Sequence, residues 1–465
     1  MSSPRLAGLL LAVAVVAGIP GGSVGAIERS GATGDELPPA NGRLRGIPLA
    51  EYRARRAAAM DAMANGVVVL RGRVEEEFGD DLKYRQDNWF MYLTGVETPG
   101  AFLILNAAGK PGERETLYIP ERDLGEERWT GPQVGPGPDA EKRFGIERVR
   151  PAGQFADDLR AIFRATDGRA RDCRVYSILP TEPGGQYSRE AALRDRVRAI
   201  LGPDHVPACD FLDAQPFLTA LRRVKSSNEV AVLQRAIAIT GEAQRDVAHA
   251  LAPGVVEYEV EAVIAAAFVR NGSMRAGFPS IVGSGIFSTV LHYADNSKRI
   301  DPGDLVVVDI GAEYDYYTAD ITRTWPASGQ FTKRQREIYQ LVLDTQEAAA
   351  RGYKPGMSIR DLNEIARECM RRSPLRDSTG KTLDGAFIHG LSHYLGMDVH
   401  DVGDVTAPLK PGDVITIEPG IYLRDENIGV RIEDDYLVTA AGLEKLSAGI
   451  PSSPDAIVQL IGKSR

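Results

Sequence analysis

The chain has 465 residues, 43% of them hydrophobic, with 48 glycines and a formal net charge of −9. This length suits two or three domains, and the apolar content excludes a disordered chain. The acidic balance argues against nucleic acid as a partner.

Arg5 precedes an apolar run from Leu6 to Ile19, too short for a relaxed membrane span. Pro20-Gly21-Gly22 and the small residues Val24-Gly25-Ala26 follow. This is the pattern of a secretory signal over residues 1–26, cleaved after Ala26. It predicts an exported protein, periplasmic or secreted, without a stable membrane anchor. Residues 27–47, rich in Gly, Pro, Ala and Ser, read as a flexible leader.

From Pro48 the segment PLAEYRARRAAAMDAMA predicts a helix, and GVVVLRG a buried strand. FMYLTGV, AFLIL and TLYIP read as further strands. FADDLRAIFRA and YSREAALRDRVRAIL read as helices on either side of the strand CRVYSIL. The alternation predicts an α/β domain over residues 48–212. Cys173, Cys209 and Cys369 are odd in number and widely spaced, which points to buried free thiols, with one bridge as the alternative.

A second domain is expected over residues 213–465. Ser227 is read as the cap of a long helix, SNEVAVLQRAIAITGEAQRDVAHAL, and YEVEAVIAAAFVRNG as the next helix. Strands PSIVGSG, LVVVDIG and DITRTWP follow, then helices RQREIYQLVLDTQEAAARG and SIRDLNEIARECMRR. Strands VITIEPGIY and VRIEDDYLVT close the chain, giving an α+β pattern.

Several of these strands carry acids. Asp309 ends LVVVD and Asp320 opens DITRTW, so a hairpin between them would bring the two carboxylates together. Glu418 ends VITIE, where burying an acid is costly unless it is paired or metal-bound. Glu433 repeats the situation in VRIEDD, whereas Asp434 and Asp435 read as solvated charge. His389, His393 and His400 crowd one short string, HGLSHYLGMDVH, and His292 lies in LHYADN. Gly390 and Gly396 argue against a regular helix there, so spacing does not choose a ligand among the three. Arg431 stands two before Glu433, suited to orienting a carboxylate or to an ordinary surface salt bridge. Four carboxylates with one imidazole can hold two divalent cations, the arrangement that acidifies a water and clamps developing oxyanions.

The strings VVVDIG, ADITRTWP, HGLSHYLGMDVHD, TIEPGIY and GVRIEDD, in this order, resemble the pita-bread metallopeptidases: aminopeptidase P, prolidase and methionine aminopeptidase. SIVGSGIFSTVLHY resembles their segment carrying another active-site histidine. YRQDNWFMYLTG and IPERDLGEERWTGP resemble the N-terminal domain of the proline-specific members, which methionine aminopeptidase lacks. The resemblance implies an α/β N-terminal domain and an α+β pita-bread catalytic domain of the creatinase/aminopeptidase type. It implies a metallo-aminopeptidase, a hydrolase that removes the residue before a proline at position two of a peptide. HGLSHYLG, through Ser392, sits nearer aminopeptidase P than prolidase, the Xaa-Pro dipeptidase that is the alternative. A non-catalytic binding protein on the same fold is a further alternative, disfavoured because every ligand type is kept.

The resemblance also implies roles. Asp309 would chelate one metal, His393 and Glu418 the second, and Asp320 and Glu433 would bridge both. Two divalent ions are expected, manganese foremost, with cobalt or zinc as alternatives. Glu418 would also move a proton, His292 and His400 would contact the scissile peptide, and His389 would wall the proline pocket. Tyr422 and Arg431 would orient the site. Relatives of this kind are often dimers or tetramers, so a homo-oligomer is expected.

Overall fold

The computed structural model describes residues 42–63, 65–75, 83–164, 173–179, 188–202 and 209–462. The signal-like segment 1–26 and the leader up to residue 41 lie outside the described residues. Among the described residues no helix is long and apolar enough to cross a membrane.

The β-branched run at Val67–Arg71 forms the strand around which the first domain is built. It pairs antiparallel with Phe102–Asn106 and parallel with Cys173–Ser177. Glu115–Ile119, Arg148–Pro151 and Cys209–Asp213 complete a six-stranded mixed sheet. Side chains on a strand alternate between faces. Accordingly Val68 and Leu70 pack with Tyr52, Met60 and Phe90, whereas Val67 and Val69 pack with Phe155, Leu159 and Val197. Helix Leu49–Ala62 thus covers one face, and helices Phe155–Arg164 and Arg189–Leu201 the other.

Three local expectations are corrected. FMYLTGV is not a strand: Asn88–Thr94 is a helix. Asp87 caps it by accepting from Phe90 N at 3.0 Å, and Gly95 ends it at φ +66°. The helix is buried almost all round, so it carries no amphipathic period to read. The cap of the long helix is Ser226 rather than Ser227, because Ser226 and Glu229 form a reciprocal capping box. Cys209 is disulfide-bonded, not a free thiol; its strand lies beside that of Cys173, with the two residues in register. Cys369 is free.

The last strand of the first sheet ends at Asp213, and helix Gln215–Arg223 leads into the second domain. There, strands Ile281–Ser284, Leu305–Ile310 and Ile321–Pro326 form one antiparallel sheet. Val414–Ile417, Asp434–Thr439 and Gly442–Lys445 form another, and Gly420–Leu423 pairs with Ile428–Arg431. Helices Ser227–Ala250, Glu257–Arg270, Lys333–Gly352 and Ile359–Arg372 enclose them around one core that includes Ile239, Ile264, Val308, Tyr339 and Ile417.

The domains are tied by buried charge rather than by apolar contact alone. Arg55 of the first domain lies 3.3 Å from Glu229 of the second, and both are buried. Arg85 donates to Glu313 at 2.8 Å and Asn88 to Asp398 at 2.7 Å, while within the second domain Asp401 meets both Arg222 and Lys225.

Candidate active site

The strands of the second domain deliver their acids to one place. Leu305–Ile310 and Ile321–Pro326 pair as the expected hairpin, but Asp309 stands opposite Thr322, not opposite Asp320. Asp320 lies one step beyond the last pair, Ile310 with Ile321, so the two carboxylates are diagonal neighbours on one face. Glu418 follows strand Val414–Ile417, and Glu433 follows Ile428–Arg431. His393 sits outside regular structure, with Thr416 N donating to its carbonyl at 3.0 Å.

His393 Nδ1 lies 3.0 Å from the Tyr394 carbonyl, so it carries the proton and turns Nε2 toward the acids. Nε2 is 3.3 Å from Glu418, 3.4 Å from Asp320 and 4.0 Å from Glu433. Thr322 donates to Glu433 at 2.7 Å, and Thr416 to Glu418 at 3.3 Å. Arg431 is buried; it donates to Asp309 at 2.7 Å, to Tyr422 OH at 3.0 Å and to Thr322 at 3.2 Å. Tyr422 OH also lies 2.8 Å from His389 Nε2. The His393 and His400 rings meet edge to face, 4.5 Å between centroids.

The electrostatics are those of a cation site. Burial and then the neighbouring acids push the Asp320 and Glu433 carboxyls well above the usual range. Burial pushes Glu418 up to about 8, against the pull of Arg431, and burial lowers His393 to about 4. His389 is likewise lowered to about 4, first by burial and then by Arg431. Asp309 Oδ1 and Glu433 Oε1 are buried and accept no hydrogen bond. Carboxylate oxygens orphaned among like charges are costly unless a cation joins them. One oxygen each of Asp320 and Glu433 and one nitrogen of His393 lie within 4.8 Å of one another. The donor set therefore fits divalent metal.

Asp309, Asp320, His292, His389, His393, His400, Glu418, Arg431 and Glu433 all line one cavity of about 540 Å3. Tyr422 stands behind it, between His389 and Arg431. Phe278, Ile281 and Leu291 supply an apolar wall. His292 and His400 are exposed, while Asp309, Asp320 and Glu433 are buried.

Two expectations fail here. Asp434 and Asp435 are not solvated; both are fully buried. Asp434 is met by Arg323 at 2.8 Å, Lys445 at 2.7 Å and Ser447 at 2.6 Å, and Asp435 accepts from Asp320 N at 3.2 Å. Arg431 is likewise no surface salt bridge. Sequence reasoning also passed over Thr322 and Thr416. The signal for Thr322 was its place in DITRTW, two positions from Asp320 and so on the same strand face.

The model of the family described as Metallopeptidase family M24 matches residues 231–440, and that of the Aminopeptidase P N-terminal domain matches residues 52–169. An Xaa-Pro aminopeptidase of Escherichia coli is 33% identical over 89% of this chain and 98% of its own length. Xaa-Pro aminopeptidase 3 of Mus musculus is 31% identical over 90% of this chain and 87% of its own. A mitochondrial relative, intermediate cleaving peptidase 55 of Arabidopsis thaliana, is 30% identical over 90% of this chain and 83% of its own. Among solved structures, zinc-substituted E. coli aminopeptidase P in complex with product superposes with TM-score 0.79 at 31% identity, covering 90% of this chain and 99% of that one.

Proposed function

The chain belongs to metallopeptidase family M24, with the N-terminal domain of aminopeptidase P, and we propose that it is an exported Xaa-Pro aminopeptidase with a two-metal centre. One observation carries this reading: Asp309, Asp320, His393, Glu418 and Glu433 converge on one cavity, and Asp309 and Glu433 each keep a buried carboxylate oxygen without a hydrogen bond.

These five residues would hold two divalent ions, manganese foremost. When bound, such ions polarise the scissile carbonyl and acidify a water. The remaining work falls to side chains. Glu418 takes a proton from the attacking water and passes it to the proline nitrogen as the C–N bond breaks, giving a secondary amine and a carboxylic acid that releases its proton to solvent. Arg431 holds Asp309 and Tyr422 in place. His292 and His400, at the cavity wall, contact the peptide, and His389, braced by Tyr422, walls the proline ring. Proline's fixed φ makes the substrate rigid, so a shaped wall orients the bond at little entropic cost.

Export is supported by the Arg5–Ala26 pattern and by the disulfide at Cys209, since such bonds persist in oxidising compartments. The mitochondrial relative shows that the fold also works in other compartments. A homo-oligomer, dimer or tetramer, completes the reading.

The test pairs an Xaa-Pro dipeptide with an Xaa-Pro-Xaa tripeptide. Chelator should abolish hydrolysis of the tripeptide and manganese should restore it. Undiminished activity after thorough metal removal sinks the reading. Cleavage of the dipeptide alone transfers it to prolidase.

A further inference from the structure

A second cavity, of about 440 Å3, adjoins the site at the seam between the domains and shares Val399 and His400 with it. That volume is within the range of ligand pockets. Its charged lining is Arg85 from the first domain and Arg275, Glu313 and Asp398 from the second. Arg85 Nε donates to Glu313 at 2.8 Å, and its Nη2 to the Met397 carbonyl at 3.3 Å. Arg275 Nη2 donates to the Tyr84 carbonyl at 3.1 Å. Its buried Nε makes no hydrogen bond and lies 3.5 Å from Glu313. Asp398 is already engaged by Arg222 and by Asn88. Arg85 and Arg275 therefore share Glu313, while Arg222 and Lys225 behind the wall match Asp398 and Asp401, which leaves one positive charge unmatched at the cavity.

The substrate supplies the direction. An aminopeptidase binds a single residue before the scissile bond, and that residue carries the ammonium terminus. A cationic cavity repels an ammonium group and attracts a carboxylate. The geometry points to this cavity as the subsite for the residues that follow proline, with Arg275 and Arg85 receiving a peptide carboxylate. The inference rests on the aminopeptidase reading above and adds a preference to it: short peptides with a free C-terminus over blocked ones. Arg suits the role because its planar fork matches a carboxylate.

The test uses the manganese-loaded enzyme and Ala-Pro followed by one to four alanines, each as free acid and as C-terminal amide. At one length the acid should show a KM about three- to tenfold below that of the amide, the range of a partly solvated charge-assisted contact. Rising ionic strength should erode that advantage. In Arg275→Met the ratio of acid to amide should fall to about one; being internal to each enzyme, it does not depend on the active fraction. Equal KM values for acid and amide at every length in the unaltered enzyme overturn the subsite, and need no variant. A preference that survives intact in Arg275→Met overturns it as well. Failure to cleave any of these peptides sinks the aminopeptidase reading beneath it, an outcome distinct from cleaving acid and amide alike.

Discussion

Asp401→Asn should destabilise the protein by about 3 kcal/mol at neutral pH, and the loss should fade in acid. The Asp401 side chain is fully buried and meets two cations, Arg222 and Lys225, that are themselves almost fully buried. An amide oxygen can still accept from one of them, but its NH2 then faces the other donor. Arg222 keeps Asp398 and its place over the Trp89 ring, whereas Lys225 keeps only the Arg223 carbonyl at 3.1 Å. Removing one partner from a buried ion pair costs about 3–5 kcal/mol, and the contacts Arg222 retains favour the lower end. The sign of the pH dependence follows from the carboxyl. Burial raises its pKa, but Lys225 and Arg222 outweigh burial and hold it below the usual range. A carboxyl depressed in the folded state stabilises above its unfolded value, about 3.9, and loses that contribution as pH falls through the folded value. The difference between the two proteins should therefore be complete at pH 7 and shrink below about pH 4. Urea unfolding of the metal-loaded proteins, followed by circular dichroism at both pH values, measures it. A loss below about 1 kcal/mol at pH 7, or one that persists unchanged in strong acid, refutes the reasoning.

Asp320→Asn should lower metal content, read by elemental analysis, and kcat/KM by at least about a hundredfold, because it removes a buried donor at the centre of the cluster. Metal uptake near pH 7 should release protons, since burial lifts the Glu418 carboxyl to about 8 in the metal-free protein. Calorimetry in two buffers of different ionisation enthalpy reads the number, and none released would contradict the electrostatics. Tyr422→Phe unties His389 from Arg431 and should cut kcat/KM about tenfold with little change in stability; unchanged kinetics would show that the link does not position either group. Cys209→Ser should cost about 2–4 kcal/mol, and a thiol reductant should lower the melting temperature of the parent protein but not of the variant.

The candidate acids were legible because Asp309, Glu418 and Glu433 end apolar runs and Asp320 opens one. LVVVD, VITIE and VRIE place a charge where burial is certain, and burial without a partner is costly. Misreadings arose where local pattern is silent. Asn88–Thr94 is buried on nearly every side, so its apolar string reads equally as strand or helix. The offset of Asp309 from Asp320 depends on the hairpin register, which is set by pairing across the turn and not by spacing along the chain.

By itself the sequence determined the class of each domain and pointed to the candidate acids, because periodicity and the cost of burying charge act over a few residues. Only the tertiary structure decided which acids are solvated. Asp434 and Asp435 look like surface charge until Arg323 and Lys445 arrive from other strands to meet Asp434, and the backbone of Asp320 to meet Asp435. It also brought His393, the histidine that the resemblance names, to 3.4 Å from Asp320 and 3.3 Å from Glu418. Contacts of this kind join residues far apart in the chain, so their energies leave no local pattern to read.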